Sequence, residues 1–179
     1  MSKSILFSKK KVFLHAFTLI EVLVVVAIMG IIMGVGSLRF RDFERRQKIV
    51  SIKRQMLADI RAAQSDALSG RKPSECGANL TLDGYAFRAN SGSSSSYEIY
   101  AICRSSAGAQ QNVTIKNVSL PTGVSLSSST LPPPNVNPVI FYSVARGTNL
   151  STNQSVTVSI ASTGGANESV VIRASGEIK

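Results

Sequence analysis

Residues 17–36 read FTLIEVLVVVAIMGIIMGVG, and this stretch decides the fold of the N-terminal part of the chain. Its only charged side chain is that of Glu21. An α-helix rises ~1.5 Å per residue, so a helix of this length spans roughly 30 Å, the thickness of the hydrocarbon core of a bilayer. The run is longer than the apolar core of a secretory signal peptide, and it continues into more helix. The sequence therefore predicts a membrane-crossing helix over residues 17–38.

Glu21 is a residue that a simple membrane anchor would not contain. A carboxylate in a membrane span costs roughly 3 kcal/mol unless it is paired or close to the interface. A cut just before Phe17 would create an α-amine four residues from this acid, which makes the amine one candidate partner. A paired carboxylate in a dry helix bundle would also specify the register between helices. The alternative is an acid that is tolerated at the interface of a plain signal anchor.

Positive charge is concentrated in the N-terminal part of the chain. The 179 residues carry a net charge of +10, and four of the twenty basic side chains lie in the first eleven residues. Ten more lie between Arg39 and Lys72, whereas from Leu80 onward six basic residues face four acids. Basic residues beside an apolar span indicate its topology. Nucleic-acid binding is the weaker interpretation, because it needs basic residues clustered on one face of the head.

Residues 9–16, KKKVFLHA, followed by FTLIEVLVVVAIMGII at residues 17–32, resemble the class III signal of type IV prepilins and type II secretion pseudopilins. The resemblance implies that a membrane-embedded aspartyl peptidase cuts between Ala16 and Phe17. It also implies that the new N-terminus at Phe17 is methylated, and that Glu21 pairs with the amine of a neighbouring subunit. The family most often has Gly before the cut, where this chain has Ala16. Since alanine is also small, we expect slower processing at most.

The same resemblance implies where the protein acts and with what. The expected partners are the prepilin peptidase, the inner-membrane assembly platform and other pilin-like subunits. The precursor is expected in the bacterial inner membrane, which it crosses once with its C-terminal head outside the cytoplasm. After removal of the leader, residues 1–16, the chain is expected in a pilus or pseudopilus.

Beyond Gly36 the pattern becomes amphipathic, and residues 39–70 are predicted to continue the same helix. No proline occurs between Phe17 and Lys72, Gly70 is placed to end the helix, and Pro73 follows it. Apolar residues recur at steps of three and four, apart from one gap after the first of them. This predicted stripe consists of Phe43, Ile49, Ile52, Met56, Ile60, Ala63 and Ala67.

Five basic residues follow the apolar run closely. Three explanations stay open for them: contact with lipid head groups, contact with acids of neighbouring subunits, or a solvated helix face. They are Arg39, Arg41, Arg45, Arg46 and Lys48.

Residues 71–179 are predicted to form a β-rich head. Short β-prone runs alternate with period two and are separated by turn residues, which is typical of half-buried antiparallel strands. A loop is expected at Gly92 and the serines after it, and Pro132, Pro133 and Pro134 predict an extended connection. The fold class is therefore α+β, a long N-terminal helix packed on an antiparallel sheet. The runs are LTLDGYAFRA, SYEIYAICR, NVTIKNVSL, VIFYSVARG, SVTVSIAS and SVVIRASGEIK.

Cys76 and Cys103 are the only cysteines. One disulfide between them would close a loop of 28 residues and stabilise the head by about 3 to 4 kcal/mol in the loop-entropy model. A head outside the cytoplasm would allow that bond to persist. Two free or buried thiols are the alternative. The spacing fits no zinc ligand set and His15 of the leader is the single histidine, so neither a metal nor a cofactor is expected.

The sequence does not predict a catalytic activity for this chain. Without the leader it would contain no histidine, which removes the commonest general base. Its acids are dispersed, and no glycine-rich phosphate-binding motif is present. The sequence therefore predicts that the protein is not an enzyme.

The last three β-prone runs resemble the C-terminal strands of the H-type minor pseudopilins of type II secretion and of the FimT-class minor pilins. In DNA-uptake members of that class a basic Gly-Arg-x-Arg-like tail binds DNA, whereas this chain ends Gly176, Glu177, Ile178, Lys179. A glutamate there would repel phosphate, so nucleic acid is not expected as a partner.

The resemblance implies a structural minor pilin or pseudopilin, processed by the prepilin peptidase and assembled into a type II secretion pseudopilus or a type IV pilus. A tip-located pilin that binds DNA or a surface is the alternative. A single-span membrane protein that never polymerises is a further one.

Overall fold

The computed structural model describes residues 17–90, 96–131, 137–144 and 147–179, and gives the backbone alone for residues 35–41 and 131. The predicted leader with Ala16 lies outside the described residues, as do the loop from Gly92 to Ser95 and the connection at Pro132 to Pro134. The chain divides into two compact units, Met1–Arg41 and Asp42–Lys179.

One α-helix, α1 at Leu19–Leu68, contains fifty residues. The backbone N–H of Glu21 donates to Oγ1 of Thr18 at 3.3 Å and to the Thr18 carbonyl at 3.1 Å. Thr18 and Glu21 have the spacing of a capping box, in which a threonine precedes the helix and a glutamate stands three residues later. The start of α1 is therefore encoded locally, with an acid in the first turn, where the helix dipole favours negative charge.

The helix ends at the glycine that the sequence predicts. Gly70 has a φ of +64°, a conformation that residues with a Cβ rarely adopt. Its N–H donates to the carbonyl of Ala67 at 3.1 Å, and the N–H of Arg71 donates to the carbonyl of Asp66 at 2.9 Å. This pair of bonds is the Schellman motif, which closes the helix and turns the chain toward the head.

In the described residues of the unit Asp42–Lys179, seven strands form two antiparallel sheets. The larger sheet has the order β3-β2-β1-β5 and the smaller one the order β4-β6-β7. A 3₁₀ turn at Ser74–Cys76 precedes β1. The strands are β1 Leu80–Asn90, β2 Ser96–Ser105, β3 Gln110–Ser119, β4 Val124–Leu131, β5 Val139–Tyr142, β6 Ser155–Ser162 and β7 Asn167–Arg173.

The α+β class is confirmed, but the head differs from the prediction in its sheets. A second sheet exists because β4, whose sequence is VSLSSSTL, pairs with β6 in regular register from Val124–Ser162 to Leu131–Ser155. Half of β4 is serine, which has a low strand propensity, so its sequence does not stand out as a strand. The last run is also shorter than predicted. It ends at Arg173, and the chain then folds back so that Ile178 bridges Ile172.

A single main core fills the space between α1 and both sheets. The helix contributes apolar side chains at three- and four-residue steps, and each large side chain stabilises the fold by roughly 1.5–3 kcal/mol when fully buried. The buried helix residues are Ile49, Met56, Ile60, Ala63 and Ala67, and the partly buried Ile52 packs against them. They meet Tyr85, Phe87, Tyr97 and Ile99 of the larger sheet and Val156, Val158, Ile160, Val170 and Ile172 of the smaller one.

Phe43 was predicted to belong to this stripe, and that prediction is wrong. Its side chain is 57% exposed, whereas Ile49 is 1% exposed. The six-residue gap between them interrupts the helical repeat, so Phe43 does not share the face that the head covers. The buried face of α1 therefore begins at Ile49.

The prediction that residues 17–38 form a membrane-crossing helix stays a prediction. In the ranges that the structure describes, no helix combines the length and the hydropathy of a membrane span.

Asp59 joins the helix to the edge of the larger sheet. Its carboxylate accepts a hydrogen bond from the Tyr97 hydroxyl at 2.8 Å and one from Nζ of Lys116 at 2.7 Å. Burial, together with the hydrogen bond to Asp59, raises the pKa of Tyr97 above its ordinary value, so the hydroxyl remains a donor. The three side chains hold α1 in register with β2 and β3.

Replacing Asp59 by alanine is expected to lower the free energy of unfolding by about 2 kcal/mol, because the Tyr97 hydroxyl would keep no acceptor in a buried position. Thermal unfolding followed by circular dichroism would measure the loss. Asp66→Ala is the matched control, since its ion pair is long at 3.7 Å and its partner Arg71 is exposed, so a change within about 0.5 kcal/mol is expected. Equal losses in the two variants would contradict a specific role for Asp59.

Candidate functional site

The first turns of α1 present a continuous apolar surface. Every residue from 17 to 34 is exposed, and the large apolar side chains between Phe17 and Met33 expose between 44% and 83% of their surface. These side chains surround the helix on all sides, unlike the single buried stripe that follows Ile49. A helix that is apolar all round is stable when a protein or lipid environment covers it. The segment is therefore a candidate docking surface.

Glu21 and Phe17 lie at the start of this surface. Phe17 precedes the helix and is 74% exposed, and Glu21 is the only charged residue between it and Gly34. The described contacts of Glu21 are the backbone bonds to Thr18 given above. In the single chain its carboxylate is exposed, which leaves it accessible to a cationic group of another molecule.

Two glycines of the segment leave room for another helix to approach α1 closely. A Cβ added to Gly30 or to Gly34 would meet no atom within 4 Å. The two residues stand four apart, so they lie on one side of the helix. Counted at 100° per residue, that side is opposite Glu21.

Cys76 and Cys103 form a disulfide, with their Cα atoms 5.8 Å apart. Both side chains are fully buried in the main core. The bond ties the 3₁₀ turn after α1 to β2, and its role in the head is structural.

The C-terminal tail is an ion-pair cluster. The carboxylate of Glu177 accepts hydrogen bonds from Nη1 of Arg173 and from Nζ of Lys179, both at 2.8 Å. The hydrogen bond from Lys179 is the largest of the influences that hold the pKa of Glu177 below its ordinary value. Both cations of the tail therefore face an internal acid. The sequence placed Glu177 beside the two cations but did not reveal these contacts.

In the described part of the chain, no group of three or more histidine, cysteine, aspartate or glutamate side chains has the arrangement of a metal site.

Comparison with known proteins identifies the N-terminal segment. Residues 15–37 match the family described as the Prokaryotic N-terminal methylation motif. No curated protein and no solved structure matches the chain. The matched residues include Ala16, Phe17 and Glu21, and they lie in the stretch that resembles a class III signal. The match supports a prepilin-type signal at the start of the chain.

Proposed function

We propose that this chain is a structural subunit of the pilin type, made as a precursor and built into a filament through its N-terminal helix. The observation that carries the proposal is the match of residues 15–37 to the methylation motif. The exposed apolar surface from Phe17 to Met33 supports it, because copies of such a surface can bury one another in a helical bundle.

In this proposal the prepilin peptidase cuts between Ala16 and Phe17, and Phe17 becomes the methylated N-terminus. The precursor is held in the inner membrane with its disulfide-bonded head outside the cytoplasm, and an assembly platform extracts it. Glu21 pairs with the amine of a neighbouring subunit, and the head forms the outer surface of the filament. We assign the chain a structural role and no enzymatic reaction.

We further propose a minor subunit, of a type II secretion pseudopilus or a type IV pilus. The likeness of the last strands to H-type pseudopilins and FimT-class pilins supports this narrower assignment. A role in DNA binding is disfavoured, because Glu177 already accepts from both Arg173 and Lys179.

Mass spectrometry of the chain isolated from its native host tests the proposal. The mature protein is expected to begin at a methylated Phe17, because the cut before it removes the leader and frees the amine. The same protein from a strain without the prepilin peptidase is the control and should keep Met1 to Ala16. An intact leader in the strain that has the peptidase would overturn the proposal.

A further inference from the structure

A cavity lies between α1 and the turn that joins β6 to β7. It has a volume of about 260 Å³ and is lined by Arg46, Ile49 and Val50 of the helix and by residues Gly165 to Glu168. A second cavity of about 180 Å³ continues it on the side of Arg45 and Gly164. Both lie within the unit Asp42–Lys179.

The helix directs its two arginines toward this turn. Arg45 and Arg46 stand four and three residues before Ile49, so they lie on the same side of α1 as Ile49, with their side chains exposed. Gly164 faces Arg45 closely, since a Cβ on that glycine would lie 2.8 Å from both Cδ and Nη1 of the arginine. The absence of a side chain at Gly164 is what lets the guanidinium lie against the turn.

The cavity keeps an excess of positive charge. The carboxylate of Asp42 is 3.7 Å from Nη1 of Arg45, beyond hydrogen-bond distance. Glu168, the other acid of the lining, is paired with Nζ of Lys53 at 2.8 Å. Within the described residues no carboxylate pairs with Arg46. Two guanidinium groups therefore converge on an open cavity with at most one weakly placed counter-charge.

Two neighbouring arginines beside a polar turn match a phosphate group. A guanidinium presents a planar fork of N–H donors that fits phosphate oxygens in a bidentate manner. We infer that the cavity bounded by Arg45, Arg46 and the turn at Gly164–Ala166 binds the phosphate of an anionic membrane lipid.

A lipid is the occupant that the surroundings favour. Arg45 follows Gly34, the last described residue of the apolar surface, by only eleven residues. In the proposed function a membrane covers the apolar segment, so an anionic lipid is a source of phosphate groups that the proposed function itself supplies. A second copy is a poorer source of the anion. The unit from Asp42 to Lys179 has fourteen basic and nine acidic residues, a difference of +5, so a second head offers the cavity no excess of acidic groups.

This inference rests on the proposed function only for the presence of a membrane. Binding can be measured on the isolated chain, so its failure would not bear on processing or assembly. Conversely, an unprocessed chain would still be able to hold the lipid.

Native mass spectrometry of the full chain in a mild non-ionic detergent, titrated with dioleoylphosphatidylglycerol, tests the site. The double variant Arg45→Gln/Arg46→Gln is expected to bind this lipid about thirtyfold more weakly, as the loss of two basic contacts to an anionic head group implies. Gly164→Ala, which keeps the net charge, is expected to weaken binding several-fold because its methyl group displaces Arg45.

The matched control is Lys48→Gln/Arg54→Gln, which removes the same charge from exposed positions that line neither cavity. It should bind as the unaltered chain does. Equal weakening in the control, or equal retention of dioleoylphosphatidylcholine, would overturn the inference, because either result assigns binding to general charge or apolar contact. Glycerol 3-phosphate binding as tightly as the lipid would assign the cavity to a soluble phosphate. A duplex oligonucleotide displacing the lipid through the same arginines would assign it to nucleic acid.

Discussion

Replacement of Glu21 by valine is expected to reduce incorporation of the chain into filaments by a hundredfold or more. In the proposed assembly the carboxylate pairs with the amine of a neighbour inside a dry bundle, and removal of one partner of a buried pair costs about 3–5 kcal/mol. The sheared filament fraction of the native host, quantified by immunoblot against the total amount of the chain, measures the effect. The head should remain folded, because Glu21 lies outside the unit Asp42–Lys179.

Glu21→Gln separates the pairing proposed for this residue from a local role at the start of α1. Glutamine keeps the capping-box spacing with Thr18 but loses the charge. If the charge pairs between subunits, glutamine should fail almost as completely as valine. Normal incorporation of the glutamine variant together with failure of the valine variant would reduce Glu21 to a local helix cap. Normal incorporation of both would favour a single-span protein that does not polymerise through this acid.

The parts of the fold that depend on local signals could be predicted from the sequence. The helix repeat from Ile49 to Ala67 and the stop at Gly70 are each encoded within a few residues, and the structure has both. The prediction for Phe43 is wrong because it extends the apolar stripe across a break in the helical repeat. The first turns of α1 are covered by other molecules in the proposed assembly. The structure of a single chain therefore shows the apolar surface but not the molecules that cover it.

Features that depend on contacts between distant segments were harder to predict from the sequence. The strand β4 is defined by its partner β6, and its serines give no strand signal of their own. Arg45 and Arg46 stand out in the sequence as basic residues. Their position beside Gly164 could not be predicted, because Gly164 is more than one hundred residues away along the chain. The contact of Tyr97 and Lys116 with Asp59 was missed for the same reason.

Loss of the disulfide is expected to give the largest change in the stability of the head. Cys76 and Cys103 are 27 positions apart, and in the loop-entropy model a link of that length stabilises by about 3 to 4 kcal/mol. The double variant Cys76→Ala/Cys103→Ala should therefore unfold at a clearly lower urea concentration. The full chain in mild detergent is the sample. Because the chain contains no tryptophan, circular dichroism is a better probe than fluorescence.

The double variant also removes two buried sulfur atoms from the core, so its loss combines the broken link with poorer packing. The unaltered chain in the presence of a reductant is the control, since it keeps both sulfurs and loses only the link. A drop of similar size in the reduced chain would assign the stabilisation to the cross-link. If the reduced chain unfolded at the same urea concentration as the oxidised one, the disulfide would contribute little. Cys76 and Cys103 would then act in the head as packed side chains, whatever their oxidation state.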